Sequence, residues 1–367
     1  MREKSTEEKT AIKMPLIVCC SPGFAEGWHQ LGPGITGEKV QWDFFDDRPI
    51  YFWEKVIRRP NVAMIRACLQ AVIRAARGKA NLLITHDPRA SFWCALFCRI
   101  FRIRIDHYVD SFNFAELPVG LRHRFMSYAF QQITKLAVHS SMECDLYSKY
   151  FNIPLNRIQL RLWSIGVPEA FPERPLQDGR YVSSIGGNGR DYRTLIDASR
   201  MLSDIPFVLV VRPESLVGLT IPPNVRVLVN APLKEAMNIL LHSAFTVLPL
   251  SGSTVPCGHV TLVCAMHLAK AIVATDSMGI SDYVMQDYNG VLCKPFSSES
   301  LAEEITKLWE DPRKIARLSK NSQEFGAENC SEARMRSDLA AVLTAWNIPL
   351  CAEALHAEAL PEEVGLC

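Results

Sequence analysis

The 367-residue sequence has no apolar run of the roughly 18 residues that a membrane span needs, because candidates such as 91–105 are broken by arginines. Its first dozen residues are charged and lack the apolar core of a secretory signal, so no export leader is expected. It has no CxxC pair and no His/Cys cluster at zinc spacing, so no resident metal is expected. The 12 cysteines are spread along the chain and read as reduced thiols of a cytoplasmic protein. Cys94 and Cys98 lie four apart on an apolar helical stretch and read as small core residues. Cys367 is the last residue rather than the fourth from the end, so prenylation is not signalled. There is no low-complexity segment. With 48% hydrophobic and 22% charged residues, disorder and fibrous organisation are excluded.

What is present is a two-domain pattern. Residues 1–165 carry a net charge of +8 and the remainder −7, as for two domains with different partners. In the first part, strands are expected at 16–20, 40–45, 82–85, 103–109, 136–139 and 157–162. A long amphipathic helix is expected with Val62, Ile65, Leu69, Val72, Ile73 and Ala76 on its apolar face. Further helices follow at 90–101, at 122–132 and after a cap at Ser140 or Ser141. Pro168, Pro172 and Pro175 with Asp178-Gly179 mark a linker. The pattern then restarts, with strands at 181–185, 207–211, 225–229, 245–250, 271–274 and 290–293. Helices are expected between them at 192–202, 234–243, 260–269 and 280–285, then at 300–310 and in two terminal segments. The fold class is α/β with two Rossmann-like, doubly wound domains, 1–165 and 166–345. A tail, 346–367, is expected to return to the first.

In parallel sheets ligands gather at the carboxyl ends of strands. The loop Gly186-Gly187-Asn188-Gly189-Arg190 follows a strand and precedes a helix, a setting in which free amides and the helix dipole favour phosphate. Arg190 adds forked donors. A second small-residue loop, 251–258, with Cys257, Gly258, His259 and Val260 at its end, also leads into a helix. Two such helix starts in one domain suggest a nucleoside diphosphate.

The run from Gly258 to Thr275, with Gly279-Ile280-Ser281-Asp282-Tyr283-Val284, Asn289-Gly290 and Asp311-Pro312, resembles the donor-site segment of family-4 glycosyltransferases. Gly186-Gly187 with Arg190-Asp191-Tyr192, and His139-Ser140-Ser141 with Glu143, are similar to that family as well. The resemblance implies the GT-B architecture, two Rossmann-like domains facing across a cleft, with the acceptor in the first and the nucleotide sugar in the second. It further implies retaining, metal-independent hexosyl transfer from a UDP- or GDP-sugar, which is a substrate; no cofactor is implied. Its donor-binding residues would be Gly23, Gly186, Gly187, Asn188, Arg190, Cys257, Gly258, His259, Val260 and Cys264.

The family's two glutamates, with seven residues between them, fall here on Pro256 and Cys264, so both carboxylates are absent. By position in the family, Asp110 is the polar group serving the donor sugar or acceptor hydroxyl, with His107 second and Arg190 stabilising the leaving diphosphate. His86, Asp87, Pro22 and Phe24 would complete the wall, with Gly27 meeting the donor phosphates. Arg58-Arg59, Arg66, Arg74 and Arg77, interleaved further on with Trp93, Phe97, Phe101 and Phe125, suggest contact with an anionic membrane at the inner face, where lipid-linked acceptors are presented. Nucleic-acid binding is not expected, since no recognised module accompanies the charge. The expected function is therefore sugar transfer to a glycan, lipid-linked or small-molecule hydroxyl in polysaccharide or glycoconjugate biosynthesis. The missing glutamates keep open a catalytically impaired GT-B protein that acts as a binding or partner subunit.

Overall fold

A computed structural model of the chain describes residues 14–23, 28–57, 61–171, 175–252 and 256–351. The strands are β1 (Leu16–Ser21), β2 (Gln41–Asp46), β3 (Leu82–His86), β4 (His107–Ser111), β5 (Lys135–Val138), β6 (Ile158–Leu160), β7 (Val182–Ile185), β8 (Phe207–Val211), β9 (Val225–Val229), β10 (Phe245–Leu248), β11 (Ile272–Thr275) and β12 (Gly290–Cys293). The helices are α1 (Trp28–Thr36), α2 (Phe52–Val56), α3 (Val62–Gly78), α4 (Pro88–Ile100), α5 (Gly120–Phe130), α6 (Ser141–Phe151), α7 (Tyr192–Met201), α8 (Leu233–His242), α9 (His259–His267), α10 (Ser298–Glu310), α11 (Pro312–Asn329) and α12 (Glu332–Ala345). They form two parallel six-stranded sheets with helices interleaved, as the alternating pattern implied.

The strand order of the first sheet is β2-β1-β3-β4-β5-β6 and that of the second is β12-β11-β10-β7-β8-β9. Read from its other edge, the second is the doubly wound order 3-2-1-4-5-6, whose direction of winding reverses between β7 and β10. Ligands of such sheets bind beyond the strand ends at that reversal. The second sheet is covered on both faces. Val208 and Val210 of β8 join one apolar cluster, while Phe207, Leu209 and Val211 join the other. Burial on both faces is why this strand reads as an unbroken apolar run.

The chain divides into two compact units. One comprises Met1–Asp110, Ala129–Lys135 and Leu339–Cys367, and the other Ser111–Tyr128 and Leu136–Asp338. Within the first unit the ring of Trp346 lies 5.8 Å from that of Tyr108, and the Cys351 amide donates to the Ile35 carbonyl at 2.9 Å.

Three local expectations need correction. The 280–285 segment is a turn rather than a helix, entered through Gly279 at φ +80°. It is held by tertiary bonds: the Tyr283 hydroxyl donates to the His139 carbonyl (2.7 Å) and accepts from the Trp163 amide (2.8 Å). In α3 the buried face is Ala63, Met64, Ala67, Cys68, Ala71, Val72 and Ala75, whereas Ala76 is exposed and Ile65 and Leu69 only half-buried. The smallest side chains face the layer below because they let the helix lie close to β1 and α4. The fourth strand starts at His107, not at 103, because Arg102 turns the chain at φ +54°.

Candidate donor site at the winding reversal

The loops after β7 and β10 meet above the reversal. Arg190 pairs with Leu250 in an isolated antiparallel bridge, and the Ser251 amide donates to the Gly189 carbonyl at 3.1 Å. The Arg190 guanidinium folds back across its own loop. Nη1 donates to the Asn188 carbonyl (3.0 Å), and Nη2 donates to the Thr261 hydroxyl on α9 (3.0 Å). A Cβ on Gly186 would stand 2.8 Å from Nη2, and one on Gly258 would stand 3.3 Å from Nη1, so both glycines admit the cation. Burial lowers the Arg190 pKa, yet an arginine stays protonated at neutral pH.

Of the two helix starts expected to take phosphate, that of α9 alone has no side-chain cap among the described residues. Asp191 caps α7, its side chain accepting from the Thr194 amide, and so places a carboxylate where an anion would sit. The start of α9 has Gly258 at its cap, with no side chain to satisfy the first-turn amides. The Gly186 amide is also committed, donating to the Val210 carbonyl as the sheet continues by one residue. The amides of Gly187 and Gly258 have no backbone partner among the described residues.

A second cation stands beside the first. Arg212, at the end of β8, donates to Asn188 Oδ1 at 2.8 Å, and its stem lies where a Cβ of Gly187 would come within 2.7 Å. The packing of its stem over Gly187 is what brings it to the loop.

Around these groups, Cys257 Sγ sits 3.6 Å from the Gly189 carbonyl and Val260 is exposed. His259 is 6% exposed and stacks on Tyr283, with ring centroids 4.9 Å apart. Burial pulls its pKa down to about 4, so the ring is neutral. The ring donates to the Gly279 carbonyl, leaving Nε2 a lone-pair acceptor with no partner among the described residues. Cys264 lies inside the apolar core, and burial pushes its thiol up to about 11. It can offer no carboxylate-like acceptor.

Beneath the α9 loop the two motif segments bind each other. The Asp282 carboxylate accepts from the Ser141 amide (2.7 Å) and hydroxyl (3.0 Å), and a Cβ on Gly279 would meet those of Pro256 and Ser140. Glu143, fully buried, accepts from the His139 amide (2.8 Å), the Ser140 hydroxyl (3.2 Å) and the Tyr147 hydroxyl (3.0 Å). Burial outweighs these bonds and pushes its carboxyl up to about 7. It lies beneath the Ser140 cap of α6 and ties that cap to the core.

In the first unit, Asp110 is 2% exposed near the end of β4, and its Oδ2 lies 3.3 Å from His86 Nδ1. His107, the first residue of β4, is 1% exposed, and its Nε2 bonds the Thr85 hydroxyl at 2.8 Å. Burial drops its pKa to about 3, which makes it a neutral core histidine. Gly23 donates its amide to Asp47 at 2.7 Å and is not a free anion donor. Phe24 and Gly27 lie outside the described residues. The first unit also gathers three buried thiols, Cys20, Cys68 and Cys94, within 4.8 Å of one another. Thiols suit soft cations, but here Cys68 and Cys94 have their pKa values raised by burial.

The family described as "Glycosyl transferases group 1" matches residues 218–325, which contain β9 to α10, most of α11 and the start of α9. No curated relative matches the chain in sequence. Among solved structures, it is similar to a glycosyltransferase from Rickettsia africae, with 10% identity and a TM-score of 0.66 over 91% of this chain and 99% of that one. It is similar to Anabaena Alr3699/HepE in complex with UDP-glucose, with 14% identity and a TM-score of 0.65 over 90% and 99%. It is also similar to the sucrose-phosphate synthase of Thermosynechococcus elongatus, with 14% identity and a TM-score of 0.63 over 90% and 98%. The chain therefore carries the GT-B fold, and the match to group 1 glycosyl transferases falls on the half that bears the open helix start.

Proposed function

We propose that the protein is a glycosyltransferase that moves a hexosyl group from a nucleotide sugar to a hydroxyl of a glycan, lipid-linked or small-molecule acceptor. The transfer retains anomeric configuration and needs no metal. The observation that carries this reading is the guanidinium of Arg190, fixed beside the open start of α9 at the winding reversal. A diphosphate placed there would take forked bonds from Arg190 and single bonds from the α9 amides. These are fixed dipoles aimed at the charge that grows as the leaving group departs. A UDP-linked sugar is favoured, because the Anabaena protein of the same fold was crystallised with UDP-glucose; GDP is the other candidate.

Backbone amides around Cys257, Gly258 and His259 would orient the sugar in place of the carboxylates absent at Pro256 and Cys264. Asp110, with His86 beside it, would hold the acceptor hydroxyl. The departing phosphate can take the acceptor's proton, so a strong base is not required. Membrane contact through the basic N-terminal domain at the inner face would bring the protein to lipid-linked acceptors in polysaccharide or glycoconjugate synthesis. No helix among the described residues is long and apolar enough to cross a membrane.

The test is acceptor-dependent release of nucleotide from a panel of UDP- and GDP-sugars in EDTA, with the product anomer read by NMR. Turnover unaffected by EDTA and a retained anomer are expected. The buried, unionised thiol at Cys264 favours a second reading, a binding or partner subunit. Absence of turnover with every donor, together with a stable complex with an active transferase, would select it.

A further inference from the structure

Residues 50–57 are built inside out. Ile50, Tyr51, Phe52, Trp53, Val56 and Ile57 are all exposed, Phe52 by 82% and Val56 by 64%, while the single acidic residue, Glu54, is 4% exposed. Glu54 is the anchor of the segment. Its Oε2 accepts from the amides of Ile50 and Tyr51, and its Oε1 accepts from Arg66 Nε at 2.7 Å. Burial opposes its charge, but the arginine and the two amides win, and the carboxyl stays below its usual range. The five-residue helix α2 is thus pinned by a charge, with its large apolar side chains turned outward, the reverse of an ordinary surface helix.

The acids nearby are half-buried and hydrogen-bonded. Asp46 holds Arg48, and Asp47 accepts from the Gly23 amide and from Asn61. Lys55 remains exposed without an ion-pair partner among the described residues, and the sequence runs on into Arg58-Arg59. The outward face is therefore aromatic, aliphatic and cationic, with no exposed carboxylate between residues 48 and 57.

We infer that this segment inserts into the surface of an anionic lipid bilayer. Its Tyr, Phe and Trp side chains would enter the headgroup and upper acyl region, and Lys55 would face the phosphates. Cationic charge around the apolar tip favours anionic lipid over a second copy of the same surface, which it would repel. The inference deepens the membrane-contact part of the function proposed above and is independent of the donor site. It replaces a diffuse basic face with one insertion point; Arg66 and Arg74 of α3 are already committed to Glu54 and Asp43.

The experiment is flotation of the full chain with phosphatidylcholine vesicles, with and without phosphatidylglycerol, alongside the Phe52→Asp/Val56→Asp variant. Both substituted side chains are exposed, so the thermal midpoint should match that of the parent chain. Vesicle partitioning should require phosphatidylglycerol, and in the variant it should fall by about tenfold or more. Equal partitioning of variant and parent would overturn the inference while leaving membrane contact through the basic helices standing. No partitioning of the parent into anionic vesicles would overturn both. Loss of a dimer on the same substitutions, seen by sedimentation velocity without vesicle binding, would assign the surface to protein and overturn it as well.

Discussion

Replacing Glu143 with glutamine is expected to stabilise the protein at pH 8 relative to pH 5. The folded-state carboxyl is raised to about 7 from 4.5 because it is fully buried. A carboxyl raised in the folded state binds more protons there than in the unfolded chain, so stability is highest below about 4.5 and declines as pH climbs through 7. A shift of this size corresponds to about 3 kcal/mol across that window. Glutamine keeps an oxygen for the His139 amide and the Ser140 hydroxyl and can turn its NH2 toward the Tyr147 hydroxyl, without the buried charge. Urea unfolding of both proteins at pH 5 and pH 8 reads the effect. The difference between them should move by about 3 kcal/mol in favour of the variant at the higher pH. Parallel pH profiles would show that Glu143 ionises as an ordinary carboxyl.

Arg190→Ala is expected to weaken binding of a nucleoside diphosphate by about 10- to 100-fold, since a hydrogen bond to a charged group contributes roughly 1.5–3 kcal/mol. Arg190→Lys keeps the charge but loses the fork and should fall between. Because Arg190 also holds the Asn188 carbonyl and Thr261, a Thr261→Val variant separates the two effects. It removes the anchor and leaves the cation, so its loss should be smaller. An Arg190→Ala protein that binds nucleotide like the parent would remove Arg190 from the site.

Much of this architecture was legible in the sequence because the strands of the second sheet are buried on both faces. A run such as Phe207–Val211 admits few other readings. What escaped was set by tertiary contact. Helix α1 contains Gly32, Pro33 and Gly34 and shows no helical signal, yet it forms. The buried face of α3 was misread because close approach to a sheet selects alanine and cysteine over leucine and isoleucine. At the donor site, the glycine loop and Arg190 could be read from their place after a strand. That the Gly186 amide belongs to the sheet, that Asp191 occupies the start of α7, and that Arg212 reaches the loop could not. Each depends on where a neighbouring strand ends. His107 followed the family position but packs inward against Thr85. The inverted segment at 50–57 escaped because the partner of its anchor Glu54, Arg66, lies 12 residues further along on another helix.

The central claim is that the open start of α9 and Arg190 bind a nucleoside diphosphate. Calorimetric titration of the protein with UDP and with GDP, each with EDTA present, tests it most directly. Saturable binding of one of them, unchanged by EDTA, is the result the account requires. No heat from either nucleotide at millimolar concentration, with ADP, CDP and dTDP equally silent, would contradict it and turn attention to a protein partner.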